Sequence, residues 1–370
     1  MSDRSKIEWT DASWNPVRAR LKNANPERVG WHCAHVSEGC RHCYAETVNN
    51  RFGTKLPYAA HAQSRVEHFL DDKMLAAPLR WKRPRKIFVG SMTDIFGDWV
   101  SDDMLDRIFA VMALAEHHTF QVLTKRPQRM RAYLCGLYAD RDDVSAGAMN
   151  ERLSHIAVEL SQSPCAGGWI EDRPAPIPNV WLGVSVEDQA TADERIPLLL
   201  ETPAAKRFVS YEPALGPVDF THLDAEAAGS RTLFVVDALT GRHRDMGRPC
   251  ADTARLDWII AGGESGPAAR PAHPDWFRSV RNQCAFAGVA FFFKQWGEWA
   301  PWAGKESDLC PGAPRGCQFA MNFAGQFEIV SHHEFAQLAT KQRGWAGVHR
   351  AGKRDAGAML DGREHKEWPR

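Results

Sequence analysis

The chain is organised around one stretch of sequence, 31-WHCAHVSEGCRHCYAE-46. Its cysteines, Cys33, Cys40 and Cys43, fall within eleven residues. Thiolates are soft ligands that suit iron–sulfur clusters and zinc, and a loop with this spacing can surround a metal centre. Three cysteines predict a 4Fe-4S cluster with one iron left open for an outside molecule. The alternative that stays open is zinc, with a fourth ligand drawn from the histidines of the same loop, which are His32, His35 and His42.

Composition indicates a globular protein and excludes a global electrostatic field. The 370 residues are 44% hydrophobic and 25% charged, and 46 basic residues balance 46 acidic ones. Any nucleic-acid contact must therefore come from a local patch. The sequence shows no segment of signal-peptide or membrane-spanning type, which predicts a cytoplasmic protein. Cysteines stay reduced there, so the clustered trio indicates metal binding and not a disulfide framework.

Short apolar runs alternate with helical patterns over most of the chain. This alternation predicts an α/β fold with a partial or complete parallel β/α barrel. Helices are predicted at 45–52, 66–79, 102–112, 190–200 and 274–287 and from Pro127 onward, and the first 30 residues are expected to form a lid or plug. The predicted strands are 86–90, 119–124, 180–186, 206–211, 256–262 and 289–293.

Two stretches are too long to be simple connections and are predicted insertions, at about 135–178 and 218–255. We expect a barrel unit over residues 1–296 that includes the cysteine loop. Residues 297–370 leave the strand–helix rhythm and form a basic C-terminal extension rich in tryptophan and glycine.

Polar residues follow each predicted strand. In parallel α/β folds, working residues collect at the carboxyl ends of the strands. Polar residues are also common in ordinary loops, so the strand exits taken together indicate a functional site more strongly than any one of them does. The candidate residues at these exits are Ser91, Thr93, Asp94, Lys125, Ser185, Glu187, Glu212, Glu264, Lys294 and Trp296.

Two features allow other functions. Glu187, Glu212 and Glu264 would suit a carboxylate-based barrel hydrolase, in which one carboxyl acts as acid and another as base or nucleophile. The run from Arg80 to Lys86 holds five cations and a tryptophan, a composition suited to phosphate contact and base stacking or simply to a solvated surface.

The cysteine loop followed by a β–α series resembles the radical S-adenosylmethionine (radical SAM) superfamily. The chain looks more closely like a bacteriophage-associated three-cysteine family of unknown function with radical-SAM-like character. The spacing of Cys33 and Cys40 is wider than the commonest radical-SAM pattern, and His42 stands where an aromatic residue usually precedes the third cysteine. The matching stretches are 7–11, 14–17, 33–46, 89–94, 122–127, 182–187, 262–266 and 292–297.

The resemblance implies a 4Fe-4S cluster on Cys33, Cys40 and Cys43 that gives one electron to S-adenosylmethionine and cleaves it to methionine and a deoxyadenosyl radical. It places Ser91, Thr93 and Asp94 near the amine of that cofactor, Lys125 near its carboxylate, and Ser185 and Glu187 near its ribose. Glu212, Glu264, Lys294 and Trp296 would lie near the substrate or support the residues that contact it.

The expected function is thus radical chemistry on an unidentified substrate, with DNA or RNA as a candidate and a protein partner as another. The rivals are a zinc-stabilised nucleic-acid-binding protein without catalysis and the carboxylate hydrolase.

Overall fold

The computed structural model describes residues 5–139, 151–226, 233–245, 248–249, 254–302, 318–329 and 344–370. Cys250, Cys310, Cys317 and parts of both predicted insertions lie outside the described residues. The described strands are β1 (Ala12–Trp14), β2 (Val17–Leu21), β3 (Val29–Gly30), β4 (Val66–Leu70), β5 (Lys86–Val89), β6 (Thr119–Thr124), β7 (Val180–Val186), β8 (Lys206–Tyr211), β9 (Leu223–Glu226), β10 (Leu233–Asp237), β11 (Arg242–Asp245), β12 (Arg248–Pro249), β13 (Trp258–Gly262), β14 (Ala290–Gln295), β15 (Trp299–Trp302), β16 (Gln318–Asn322), β17 (Phe327–Ile329) and β18 (Trp345–Arg350).

The helices connect these strands. They are α1 (Tyr44–Phe52), α2 (Asp72–Leu75), α3 (Asp102–Leu114), α4 (Pro127–Ala139), α5 (Glu151–Ser161), α6 (Ala166–Glu171), α7 (Gln189–Glu201), α8 (Pro274–Ala287) and α9 (Lys353–Ala356), with 3₁₀ turns at Glu38–Cys40, Ala60–Arg65 and Pro78–Arg80.

Seven strands form a parallel sheet in the order β1-β5-β6-β7-β8-β13-β14. Within this sheet, each strand lies beside the sheet strand that follows it in the sequence. This order is typical of β/α barrels, because right-handed crossovers between such strands all cover one face. The order is open, with β1 and β14 as its edges among the described residues. The predicted α/β class is confirmed, and the sheet is consistent with the partial form of the predicted barrel.

The six predicted strands of this sheet are all present, because each is a run of apolar residues that the fold buries. Ile87 and Val89 of β5 and Trp258, Ile259 and Ile260 of β13 are all fully buried. Helices cover such strands on the side to which the crossovers return. Helix α3 is capped by Ser101, whose hydroxyl accepts a hydrogen bond from the Met104 N–H, and two aspartates follow in the first turn of the helix.

Two local predictions are wrong. Residues 66–79 form strand β4, the short helix α2 and a 3₁₀ turn instead of one helix, because Val66–Leu70 pairs antiparallel with β2. The first 30 residues are not merely a lid: Ala12–Trp14 adds the edge strand β1 to the parallel sheet, and β2 and β3 join β4 in a three-stranded antiparallel sheet.

The chain divides into two compact units. The first comprises Met1–Val184 with Leu198–Arg207, and the second comprises Ser185–Pro197 with Phe208–Arg370. The second unit holds two four-stranded antiparallel sheets, β12-β11-β10-β9 and β15-β18-β16-β17. The sequence predicted a different division of the chain, with a boundary at residue 297 and two insertions. That division stays a prediction. No helix in the described ranges is long and apolar enough to cross a membrane.

Candidate functional site

The three cysteines lie in a loop between β3 and α1 in the first unit. Cys40 ends a 3₁₀ turn, and Cys43 is the residue before helix α1. All three are half-buried free thiols. Cys33 and Cys43 pack against an apolar cluster formed by Ala45, Tyr58 and Met92. The loop therefore holds its sulfur atoms at the border between the core and solvent.

Hydrogen bonds from the loop and from Tyr58 reach the residues that follow β5. The Tyr44 hydroxyl donates to the carbonyl oxygen of Ser91 at 2.7 Å, and the Tyr58 hydroxyl donates to that of Met92 at 2.7 Å. The Thr93 hydroxyl donates to the carbonyl oxygen of His32. Each bond ties the cysteine loop or the cluster beneath it to the carboxyl end of a parallel strand.

The exit of β6 holds the same loop from a second side. Arg126 donates to the carbonyl oxygen of Ala34 at 3.0 Å, and the Lys125 ammonium donates to the Ser37 hydroxyl at 3.4 Å. The cysteine loop thus lies at the carboxyl ends of β5 and β6, where parallel α/β folds carry their functional residues.

Burial raises the pKa of two of these thiols. It raises the pKa of Cys33 to about 12, an effect that the Asp94 carboxylate reinforces and the Arg126 guanidinium opposes. Burial also raises the pKa of Cys43, and hydrogen bonding from the backbone N–H groups of Glu46 and Ala45 partly offsets the rise. A thiol of this kind is unreactive until a cation stabilises its thiolate, as a bound metal does.

The fit to a metal rests on the chemistry of the donors. Three soft thiols on one loop match the ligand set of an iron–sulfur cluster. Within the described part of the chain, however, no three His, Cys, Asp or Glu side chains converge as they would around a single metal ion. Of the histidines considered for zinc, His35 pairs with the Glu46 carboxylate at 3.0 Å, and His32 is almost fully buried.

The strand-exit residues of the first unit are largely occupied by one another. The Asp94 carboxylate accepts hydrogen bonds from the Thr124 hydroxyl and from the backbone N–H groups of Phe96 and Lys125, and it pairs with Arg126 at 3.1 Å. A carboxylate has about four acceptor sites. Asp94 therefore joins the ends of β5 and β6, and contact with an incoming amine would displace one of its present donors.

Thr93 and Ser91 differ in how much of them a ligand could reach. Thr93 is buried, and its hydroxyl also accepts a hydrogen bond from the Trp99 indole at 3.3 Å. Ser91 is half-exposed and exchanges hydrogen bonds with the Asn15 side chain. The proposed cofactor contacts of Ser91, Thr93, Asp94 and Lys125 stay predictions.

The remaining candidates belong to the second unit, where each carboxylate is paired with a cation. Glu187 and Arg195 form an ion pair at 3.2 Å, with side chains 1% and 2% exposed. Ser185 donates weakly to the carbonyl oxygen of Glu212, at 3.5 Å. Glu187 as it stands is thus a buried structural partner, which a ribose could reach only if this pair moved.

The ends of β8, β13 and β14 carry two further ion pairs. Lys294 donates to both oxygens of Glu212, at 2.6 and 2.8 Å, and Arg270 holds Glu264 with two parallel bonds of 2.7 and 2.9 Å. The Trp296 indole donates to the carbonyl oxygen of Met359 at 2.8 Å. These side chains are fixed in position, and their roles toward a substrate stay predictions.

Glycine allows two of these strand ends to approach each other. A Cβ added at Gly263 would lie 1.9 Å from the carbonyl oxygen of Trp296. A Cβ added at Gly297, where φ is +82°, would lie 2.1 Å from the carbonyl oxygen of Glu264. Only glycine permits such backbone contact, which explains why glycine stands at both positions.

Sequence reasoning missed the cations that complete these groups. Arg126 follows the predicted Lys125 directly, and Arg195 lies two helical turns beyond Glu187. The signal for both was their spacing from a predicted residue, yet an arginine near a strand end or on a helix is usually solvated. The run from Arg80 to Lys86 precedes β5 and so lies at the opposite end of that strand from the cysteine loop.

A family model described as a protein of unknown function (DUF5131) matches residues 4–369. No curated protein and no solved structure matches the chain.

Proposed function

The chain belongs to the DUF5131 family, whose function is unknown, and we propose from its site that it is an iron–sulfur protein of the radical SAM type. The observation that carries the proposal is the attachment of a three-thiol loop to the carboxyl ends of two parallel strands. A zinc-stabilised scaffold needs the thiols but has no need of that location. A cofactor that reacts with a second molecule does need it.

In this proposal Cys33, Cys40 and Cys43 hold a 4Fe-4S cluster, and one iron has no protein ligand. Supplied with an electron by an external reductant, such a cluster cleaves S-adenosylmethionine to methionine and a deoxyadenosyl radical. The cofactor supplies this chemistry, and the protein supplies binding, orientation and protection.

The surrounding side chains are suited to those tasks. The half-exposed Lys125 ammonium carries the charge to attract a carboxylate, and the Ser91 hydroxyl offers a short donor or acceptor. The indole of Trp99 and the ring of Tyr58 lie beside His32. Their apolar surface would keep water from a reactive species formed next to the loop.

The test is anaerobic purification followed by assays for iron, sulfide and zinc. We expect about four irons and four sulfides per chain and formation of 5′-deoxyadenosine from S-adenosylmethionine only when reductant is present. Replacing Cys33, Cys40 or Cys43 with Ala should abolish the bound iron. Cys165→Ala is the matched control, because Cys165 is an exposed free thiol outside the loop, and it should keep the full iron content.

Other results would favour the rivals. One zinc per chain without sulfide would overturn the proposal and favour the zinc-stabilised binding protein. Hydrolytic activity that survives replacement of all three cysteines would favour the carboxylate hydrolase. The structure offers that rival little, since Glu187, Glu212 and Glu264 are each held by a cation.

A further inference from the structure

The three-stranded sheet β3-β2-β4 presents a row of aromatic and cationic side chains on one face. In this antiparallel sheet Arg18 of β2 lies opposite Phe69 of β4. The register of β2 with β3, continued by one residue, places Trp31 opposite Arg18 on the neighbouring strand side, so all three residues are on one face. The guanidinium of Arg18 lies 4.4 Å from the centre of the Trp31 ring. The three side chains therefore form a continuous row, Trp31–Arg18–Phe69, across the strands.

A second arginine extends this face. Arg20 lies two residues along β2 from Arg18 and so on the same face. Its guanidinium is 4.6 Å from the centre of the Phe69 ring, and 41% of its side chain is exposed. Arg20 pairs with Glu27 and lies 3.6 Å from Glu67. Exposed pairs of this kind are weak, so a phosphate could replace either carboxylate.

The opposite face of the sheet is used by the core. Ala19 and Val66 are buried there in a cluster with Leu56 and Ala62. Trp31, Arg18, Phe69 and Arg20 are each only partly buried, and Trp31 also packs against the cluster of Ala45, Tyr58 and Met92. The sheet thus has one face committed to packing and one that leaves stacked aromatic and guanidinium groups within reach of solvent.

The segments that form and adjoin this sheet carry an excess of positive charge, although the whole chain is neutral. Residues 17–30 and 51–71 contain seven Lys or Arg against three Asp or Glu. They are Arg18, Arg20, Lys22, Arg28, Arg51, Lys55 and Arg65 against Glu27, Glu67 and Asp71. A polyanion is the partner that this charge complements.

We infer that this face binds single-stranded nucleic acid, with bases stacking on the Trp31–Arg18–Phe69 row and phosphates contacting Arg20 and neighbouring cations. Aromatic rings and guanidinium planes on an open sheet can stack only on bases that are not already stacked in a duplex. Binding of nucleic acid to this face does not depend on the proposed function. Only the further step, that the bound nucleic acid is the substrate, rests on the proposed function. Trp31 begins the cysteine loop, so a nucleic-acid strand bound to this face would pass beside Cys33.

The test uses labelled single strands of DNA and RNA of about 12 nucleotides and a duplex of the same sequence, with binding measured by fluorescence anisotropy at several salt concentrations. We expect single strands to bind more tightly than the duplex. Phe69→Leu keeps the apolar volume and removes the ring, and it should weaken binding about 5- to 100-fold. Phe286→Leu is the matched control, since Phe286 is 94% exposed in the second unit, and it should leave affinity unchanged.

The charge contribution is tested by a second matched pair. Arg20→Gln should make the plot of log affinity against log salt less steep by about 0.7, the value for one phosphate contact on a single strand. Arg354→Gln removes the same charge from a side chain of the second unit that is 94% exposed, and it should change nothing. Preference for the duplex, equal losses in Phe69→Leu and Phe286→Leu, or no binding by the unaltered protein would each overturn the inference.

The two proposals can fail separately. Phe69→Leu should retain the iron content of the unaltered protein and its circular dichroism spectrum. A protein that binds single strands through this face but contains no cluster refutes the iron–sulfur proposal alone. A protein with a cluster and no affinity for single strands refutes the nucleic-acid inference alone.

Discussion

At the scale of single residues, Arg126 is the side chain that most directly connects the cysteine loop to the sheet. Its guanidinium pairs with Asp94, donates to the carbonyl oxygen of Ala34 and lies 4.8 Å from the centre of the Trp99 ring. Its positive charge also acts on the Cys33 thiol, where it opposes the rise in pKa that burial causes. Arg126 therefore places a fixed positive charge beside one of the proposed cluster ligands.

This position predicts a change in redox potential. Hydrogen bonds and positive charge near cluster sulfurs favour the reduced, more negative state. In the iron–sulfur protein proposed above, Arg126→Gln should lower the midpoint potential by about 60 mV, a tenfold change for a one-electron couple. Titration of the reduced cluster followed by electron paramagnetic resonance measures this shift. Arg129→Gln, which removes an exposed partner of Asp102, is the control, and an equal shift in both variants would contradict the prediction.

The same scale shows what the sequence could and could not reveal about the site. The cysteine spacing and the positions of Asp94 and Lys125 after apolar runs indicated residues that the structure places beside one loop, and their roles stay predictions. Their partners were not predictable, because the Asp94–Arg126 pair joins two strand ends, and their contact depends on the register between β5 and β6. Ion pairs between distant segments leave no local pattern in a sequence.

At the scale of elements, helix α8 shows how a buried histidine can make an element depend on pH. His273 is fully buried at the start of the helix. Its Nδ1 accepts a hydrogen bond from the Asp275 N–H at 3.1 Å, and its Nε2 lies 3.2 Å from the carbonyl oxygen of Gly344. Both contacts are satisfied by the neutral ring with its proton on Nε2. Protonation of Nδ1 would make it a donor facing the Asp275 N–H, which is also a donor, so the hydrogen bond that caps the helix would be lost.

Burial lowers the pKa of His273, while the Asp275 carboxylate partly offsets the effect. The unfolded chain therefore binds a proton more readily than the folded one, and the stabilisation is complete above the ordinary histidine pKa of about 6.5 and declines as pH falls below it. We expect urea unfolding to show a larger loss of stability between pH 7.5 and pH 5 for the unaltered protein than for His273→Asn. Asparagine also caps a helix but does not titrate. Parallel curves for the two proteins would contradict this account.

The helices and strands also show which elements a sequence pattern can predict and which it cannot. The six strands of the parallel sheet that were predicted are long apolar runs, and helix α8 was predicted with its observed bounds. Strand β1 was missed because Ala12–Trp14 has only three residues and gains its place by pairing with β5. Val66–Leu70 was assigned to a helix because the apolar spacing of 66–79 fits that period, whereas the pairing with β2 decided for a strand. Tertiary pairing overrides local preference in both cases.

At the scale of the whole molecule, the exposed edges of the seven-stranded sheet need protection. Strand β14 is one edge, and its residues 291–293 are all phenylalanine and buried. Residues 361–370 lie along it: the Phe293 N–H donates to the carbonyl oxygen of His365, and Lys366 forms a β-bridge with Phe292. The sequence showed this segment as a basic extension but not its partner, because the contact joins segments about 70 residues apart.

This arrangement predicts that residues 361–370 protect the chain from aggregation through this edge. Without them, the unpaired backbone groups and phenylalanines of β14 would offer an edge for pairing with other chains. Trp258 would also lose its hydrogen bond to the carbonyl oxygen of Glu367 and its contact with the Trp368 ring, 4.7 Å away. We expect the chain shortened by residues 361–370 to form aggregates that light scattering detects at concentrations where the full chain forms none. Asp361→Asn is the control, since it weakens only the exposed pairs with Arg278 and Arg281 and leaves the edge covered. If the shortened chain forms no more aggregates than the control and is as resistant to urea, the segment does not protect this edge.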